Sequence, residues 1–313
     1  MSDYTVVYFS GIDRGFSIPS VVAEFSLFGM EIQIRWYGVL IALGFVLGLL
    51  AATKLAKKAN MDIDKLFDTI IYGTIFAIIG ARLYFVLFNW SYYSQHLGDI
   101  VKIYEGGLAI YGGLIAAVIA ALVVCKINKT SILKTLDVAA VGFLIGQGIG
   151  RWGNFTNQEA FGTNTTRPWG MTSEKVSEYI YLHQSEFEAN GFSVDPSIPV
   201  HPTFLYESIW CIIGAVLLYV MFSKYKKFDG QIILSYGVWY GLERMIVEGL
   251  RTDSLYIAST GIRVSQALSG MIVIVSISLL IYSFLKANKG TGNQELLQHI
   301  STKKGEDTDG KGD

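Results

Sequence analysis

The stretch Val264-Ser265-Gln266-Ala267-Leu268-Ser269-Gly270-Met271-Ile272-Val273-Ile274-Val275-Ser276-Ile277-Ser278-Leu279-Leu280-Ile281-Tyr282-Ser283-Phe284-Leu285 carries no charged side chain. Wound as an α-helix rising 1.5 Å per residue, it is long enough to cross the hydrocarbon core of a bilayer, about 30 Å thick. Comparable apolar stretches lie near Ile34–Thr53, Leu66–Phe88, Leu108–Val124, Leu133–Gly150, Thr203–Phe222 and Gln231–Glu248. In lipid a backbone must satisfy its own hydrogen bonds, so such runs form helices. The chain is therefore expected to be an all-α, polytopic integral membrane protein with about seven transmembrane helices.

Composition agrees. Of 313 residues, 51% are hydrophobic and 16% are charged, and the mean hydropathy is +0.41. Soluble domains carry about a quarter charged residues. An ordinary soluble domain, a disordered chain and a nucleic-acid binder with a basic surface are all excluded. Cys125 and Cys211 sit at the end of one apolar run and inside another, without CxxC or Cys/His spacing, so neither a disulfide framework nor a zinc site is expected. The N-terminus lacks a basic region and a small-residue cleavage site, so the first spanning helix is expected to direct insertion.

The charges that remain are sorted by position. Lys54, Lys57, Lys58 and Lys65 fill the first connection, Lys126, Lys129 and Lys134 the third, and Lys224, Lys226 and Lys227 the fifth, while Lys286 and Lys289 follow the last helix. By the positive-inside rule, the N-terminus and the long fourth loop face outward and the C-terminus lies in the cytoplasm. Three regions are expected: an external segment 1–33, a transmembrane domain 34–285 and a disordered tail 286–313. The fourth loop, 155–202, contains aromatics and a helical pattern over Ser173–Glu188, and reads as a small external cap. The two halves show no internal repeat. Gly142, Gly146 and Gly150 recur on one face of the fourth helix and allow a neighbouring helix to approach closely.

Ionisable groups inside a bilayer cost about 2.5–3.5 kcal/mol each, which makes them functional candidates. Arg82 lies in the second run, Arg151 ends the fourth, Glu207 opens the fifth, and Arg244 and Glu248 close the sixth, with Glu105 just before the third. Under the expected topology all converge on the external leaflet. A lone Arg near a helix end, such as Arg82, ordinarily snorkels to head groups, and Arg244 with Glu248 has the spacing of an intrahelical pair. Yet Tyr236, Tyr240, Arg244, Glu248 and Arg251 form a continuous stripe, which should face the bundle or water. Several Arg without a metal-ligand cluster point to an anionic oxygen-rich ligand, a phosphate or carboxylate, and in a bilayer to a phospholipid head group. No metal or other cofactor is called for.

The stretch Gly150-Arg151-Trp152-Gly153-Asn154-Phe155-Thr156-Asn157-Gln158-Glu159, followed by Ala160-Phe161-Gly162, resembles the G-R-x-G-N-F-x-N-x-E signature of prolipoprotein diacylglyceryl transferases. Further matches follow in the order that family requires: Trp36-Tyr37-Gly38, Gly80-Ala81-Arg82-Leu83, Glu105-Gly106-Gly107 through Tyr111-Gly112-Gly113-Leu114, His201-Pro202-Thr203-Phe204-Leu205-Tyr206-Glu207, then Arg244, Glu248 and Arg251. The resemblance implies transfer of the diacylglyceryl group of phosphatidylglycerol, in the bacterial cell membrane, to the lipobox cysteine of a preprolipoprotein signal peptide. A thioether forms and glycerol phosphate leaves.

The family's functional positions carry over to Tyr37, Arg151, Asn154, Glu159, Gly162, Arg244 and Glu248. Arg151 and Arg244 are expected to take the phosphate, Asn154 to donate to phosphate or ester oxygens, and Glu159 and Glu248 to orient the arginines. Arg82 and Glu207 join them as substrate-binding candidates. The departure is Tyr111, where many members have a His proposed as general base. Tyr, with a pKa of about 10, is a poorer base at neutral pH, so Tyr111 either positions substrate or works through a lowered pKa beside Arg. His201 is a second candidate base, or a structural group at a helix start. The competing class is a transporter or lipid-binding protein for an anionic small molecule, which predicts polar groups at mid-membrane and repeated halves.

Overall fold

The computed structural model describes residues 4–27, 30–189, 191, 193–252 and 263–309. Two compact units divide the chain: residues 51–139 form one, and residues 1–50 with 140–313 the other. Helices α1 (Trp36–Lys58) and α5 (Ile132–Asn157) each run from one unit into the next along the sequence.

The 51–139 unit is built on α2 (Ile63–Phe88) and α4 (Ile110–Ile127). Asp62 caps α2, its side chain accepting from the Asp64 amide at 3.1 Å. The two helices approach closely at Gly80 and Gly112, where a Cβ on Gly80 would stand 2.7 Å from the Gly112 carbonyl oxygen. Between them lie the single turn α3 (Trp90–Tyr93) and two 3₁₀ turns, Leu97–Val101 and Ile103–Glu105.

In the other unit, α1 crosses α5 on bare backbone. A Cβ on Gly48 would meet the Gly142 carbonyl oxygen at 2.7 Å, and one on Gly44 the Gly146 carbonyl oxygen at 3.1 Å. The glycine face expected on the fourth spanning segment is thus met by a second one on α1. Beyond α5 come β5 (Met171–Ser173), α6 (Glu174–Leu182) and α7 (Gln184–Ala189), then α8 (Thr203–Val220) with a π turn at Met221–Tyr225, α9 (Gln231–Glu248) and α10 (Val264–Asp309). Helices α8 and α9 are locked by Trp210 and Trp239, each indole N–H donating to the other's carbonyl at 3.1 and 3.0 Å.

Seven long helices coincide with the seven expected spans. Six are long and apolar enough to cross a membrane; α9 matches its expected bounds but carries Glu243, Arg244 and Glu248. The protein is a multi-pass membrane protein. Helix α5 continues past Gly150 to Asn157, so most of the signature is helical rather than loop. Helical backbone also runs to Asp309 in α10, where the sequence reading places an unstructured tail.

The N-terminal segment holds strands that the all-α reading does not contain. Strands β1 (Tyr4–Phe9) and β2 (Ile12–Pro19) pair antiparallel, and β5 adds to β1 through Val7 opposite Ser173. This sheet joins the 155–202 loop in a cap whose core is Val7, Phe155, Phe161, Met171, Ile180 and Phe204. Ser173 caps α6. A separate hairpin, β3 (Val21–Leu27) with β4 (Met30–Arg35), precedes α1.

Candidate active site

The C-terminal half of α5 delivers Arg151, Trp152 and Asn154. Arg151 Nη1 lies 3.1 Å from Glu207 Oε2, and Arg244 Nη1 lies 3.3 Å from Glu207 Oε1. Arg244 Nη2 also meets Glu248 Oε2 at 2.6 Å, one turn further along α9. Glu207, in the first turns of α8, is 0% exposed. A carboxylate so buried needs a compensating charge, and here two guanidinium groups from different helices supply it, Arg244 also donating a hydrogen bond to Oε1. Arg151, Glu207, Arg244 and Glu248 therefore form a single ion-pair cluster where α5, α8 and α9 meet.

The α9 stripe faces its neighbouring helices, as a polar stripe in lipid must. Tyr236 Oη accepts from Gln147 Nε2 on α5 at 2.8 Å, and its ring stacks with Tyr240. Trp152 donates to Ser208 Oγ at 3.1 Å and packs its ring edge-on against Phe155 and Phe204. These contacts orient α5 so that Arg151 points at α8. Tyr37, at the start of α1, lies against the bare Cα of Gly153, where a Cβ would stand 2.8 Å from the ring.

Glu159 does not orient the arginines, contrary to expectation. Its Oε1 accepts from Asn154 Nδ2 at 2.9 Å and from Asn157 Nδ2 at 3.4 Å. The reason is local geometry. After Asn157 the chain reverses through Gln158 and Ala160, both at positive φ, and this turn folds Glu159 back over the end of its own helix. The orienting carboxylates are Glu207 and Glu248. Gln158, not singled out in the sequence, locks the turn: it is buried, donates to the Phe155 carbonyl at 2.5 Å and accepts from Ser173 Oγ at 2.9 Å.

Gly162 is sandwiched between backbones. Its amide donates to the His201 carbonyl at 2.9 Å, and the Thr163 amide donates to the Leu250 carbonyl at 2.8 Å. A Cβ there would come 2.8 Å from His201 Cβ and 3.1 Å from the Leu250 oxygen. The glycine thus ties the cap to the end of α9 next to Arg251. His201 Nδ1 lies 3.0 Å from Tyr206 Oη, which accepts from Trp169 Nε1 at 2.7 Å. Burial, and then the Arg167 charge, hold the His201 pKa below its ordinary value.

Arg82, Glu105 and Tyr111 belong to the other unit. Arg82 is 7% exposed, and its guanidinium is committed to backbone. Nε donates to Ile100 O at 2.8 Å, Nη1 to Gly106 O at 2.8 Å and Gly107 O at 3.0 Å, and Nη2 to Asp99 O at 2.6 Å. Gly106 and Gly107 both sit at positive φ, and a Cβ on Gly107 would clash with Arg82 Nη1 at 2.5 Å. Tyr111 is exposed on the first turn of α4, just after this clamped loop.

One acidic side chain escaped the sequence reading. Glu243 is 2% exposed, its Oε1 has no hydrogen-bond partner among the described residues, and it lies within electrostatic range of Glu207, Arg151, Arg244 and Arg251. Its place beside Arg244 on a spanning helix was the available signal.

Residues 25–282 match the model of the prolipoprotein diacylglyceryl transferase family. The chain is 46% identical over 255 residues to a phosphatidylglycerol–prolipoprotein diacylglyceryl transferase of Finegoldia magna, covering 82% of this chain and 92% of that protein. It is 42% identical over 274 residues to one of Listeria innocua, covering 88% and 94%, and 42% identical over 257 residues to one of Staphylococcus aureus, covering 82% and 88%. With the match spanning the helices and the arginine–glutamate cluster alike, the chain belongs to the prolipoprotein diacylglyceryl transferase family.

Proposed function

We propose that the protein transfers the diacylglyceryl group of phosphatidylglycerol to the thiol of a lipobox cysteine in a preprolipoprotein. The sulfur–carbon bond forms as the glycerol carbon–oxygen bond to phosphate breaks. The thiol proton is lost, and glycerol phosphate leaves with the bonding electron pair. The observation that carries this reading is the pair of guanidinium groups, Arg151 and Arg244, held on one buried carboxylate, Glu207.

A phosphodiester entering this cluster meets two planar donors already oriented. Arginine forks match phosphate oxygens two at a time, and fixed positive charge in a water-poor site stabilises the negative charge that gathers on the departing phosphate. The same field favours thiolate over thiol in the incoming cysteine, whose unperturbed pKa is about 8.5. Asn154, at the same end of α5, donates to phosphate or ester oxygens, with Glu159 fixing its amide. Tyr37 closes the side of the site at Gly153, and Gly162 holds the cap to the end of α9. Within its own unit, Arg82 acts on the loop that it clamps, which runs into the first turn of α4 just before Tyr111.

The lysine distribution supports a C-terminus in the cytoplasm and a cap facing outward in a bacterial cell membrane, on the side where secreted substrates emerge. A transporter reading finds less support. Helices α5 and α9 reach the polar cluster at their C-terminal ends and α8 at its N-terminal end, which is not a mid-membrane site.

The test is direct. Purified full-length protein in vesicles containing phosphatidylglycerol should add one diacylglyceryl group to the cysteine of a lipobox peptide and release glycerol phosphate. Lipid binding without thioether formation, under conditions where the Finegoldia magna relative is active, would overturn the assignment.

A further inference from the structure

The β3–β4 hairpin has two chemically opposite faces. Partners across an antiparallel ladder share a face, and the register sets Ala23 opposite Ile34, Phe25 opposite Ile32 and Leu27 opposite Met30. These positions are all apolar. The intervening pairs are Glu24 with Gln33 and Ser26 with Glu31, and Gln33 Nε2 donates to Glu24 Oε1 at 2.6 Å. The hairpin is a sheet of its own. Phe25 is 45% exposed and Ile34 is 40% exposed. A lone two-stranded hairpin with one apolar face is marginal in water.

What covers that face follows from the chain. Strand β4 ends at Arg35 and the spanning helix α1 begins at Trp36, with no residue between them. The Trp36 amide donates to the Ser20 carbonyl at 3.1 Å, closing the hairpin's base at the same point. The hairpin is thus rooted at the first residue of a helix long and apolar enough to cross a membrane, whose Ile41 and Phe45 are themselves exposed. We infer that the β3–β4 hairpin is an interfacial lipid-binding element, lying on the bilayer with Ala23, Phe25 and Ile34 toward the acyl chains and Glu24, Glu31 and Gln33 toward water.

Physical chemistry also sets the depth. Both outer edges of a two-stranded sheet leave amides and carbonyls unpaired, and these exclude it from the hydrocarbon core. At the head-group boundary water satisfies the edges while apolar side chains reach the upper acyl region. The acidic polar face would be repelled by anionic head groups, which favours water as its neighbour.

The full-length protein, one copy per nanodisc, carries an environment-sensitive probe on Phe25→Cys, Ile34→Cys, Glu24→Cys or Gln33→Cys in turn. Cys125 and Cys211 are buried and stay unlabelled in the folded protein. Probes at 25 and 34 should be quenched several-fold more strongly by lipids spin-labelled high on the acyl chain than probes at 24 and 33, with aqueous iodide giving the reverse order. Equal iodide quenching at all four positions would overturn the proposal. So would protection of positions 25 and 34 from both quenchers, because protein would then be covering the face.

Discussion

Arg151 and Arg244, from helices α5 and α9, approach the two oxygens of the same buried carboxylate, Glu207, at 3.1 and 3.3 Å. Both guanidinium groups are mostly buried, with 20% and 16% of their side chains exposed. Replacing Glu207 by Ala leaves two desolvated cations with one partner fewer, and breaking a buried ion pair in this way costs about 3–5 kcal/mol. Thermal unfolding in detergent should show this loss, and Glu207→Gln should recover part of it by keeping a hydrogen-bond acceptor in place. A Glu207→Ala protein as stable as the parent would mean that the bridge is not structural.

Arg151→Ala removes one donor aimed at the leaving phosphate. Loss of such a preorganised donor lowers turnover by about 10²–10³-fold, and Arg151→Lys should restore little, since an ammonium lacks the planar fork. Both variants should still insert, but Arg151→Ala also leaves the buried Glu207 with one cation fewer and should lower the unfolding midpoint, whereas Arg151→Lys keeps that charge and so separates lost turnover from lost stability. Turnover of lipobox peptide at saturating phosphatidylglycerol is the measurement.

Gly162→Ala forces a Cβ against His201 and the Leu250 carbonyl. Overpacking of this kind costs about 1–3 kcal/mol. The cap should loosen from the end of α9, visible as faster amide exchange at Gly162 and Thr163, whose bonds to His201 and Leu250 are the ones strained.

Protonation of His201 is disfavoured in the fold by burial and by Arg167. Because its folded pKa is below the unfolded value of about 6.5, the unfolded chain binds the proton first. Stability from this group is full above pH 6.5 and is lost as pH falls below it. The difference in unfolding midpoint between the parent and His201→Gln should therefore shrink on moving from pH 7.5 to 5.5. A difference that widens on acidification would reverse the sign and refute the account.

Arg82→Lys exchanges a five-donor fork for a point charge. Charged hydrogen bonds contribute about 1.5–3 kcal/mol each, and one ammonium cannot reach the carbonyls of Asp99, Ile100, Gly106 and Gly107 together. Amide exchange across residues 97–107 should accelerate while the amides of α2 remain protected.

Six of the helices were legible because lipid imposes one rule, a long and mainly apolar run, and α9 followed from its length and bounds despite Glu243, Arg244 and Glu248. The Arg244–Glu248 pair was legible too, since it lies on a single helix at fixed spacing. What could not be read was which helices face each other. Glu207 joins arginines from α5 and α9 only in three dimensions, and Glu159 turns back to Asn154 because of two residues at positive φ whose identities, Gln and Ala, give no warning. The hairpin before α1 did carry a signal, because apolar and polar residues alternate from Ala23 to Leu27 and from Met30 to Arg35, but β1 and β2 carry no such regular alternation. Glu243 was overlooked beside a more conspicuous neighbour.

The crossing of α1 and α5 acts as a ruler. Moving from Gly48 to Gly44 on one helix is matched by moving from Gly142 to Gly146 on the other, and a further seven residues on each lead to Tyr37 and Gly153, which are again in contact. Tyr37 is therefore delivered by counting, not by its own bonds. Inserting a single residue between Tyr37 and Gly44 would swing the phenol about 100° around the helix and lift it about 1.5 Å, though every side chain in the site remained unchanged. Length between the glycines and the tyrosine is as much a part of the site's specification as the residues that compose it.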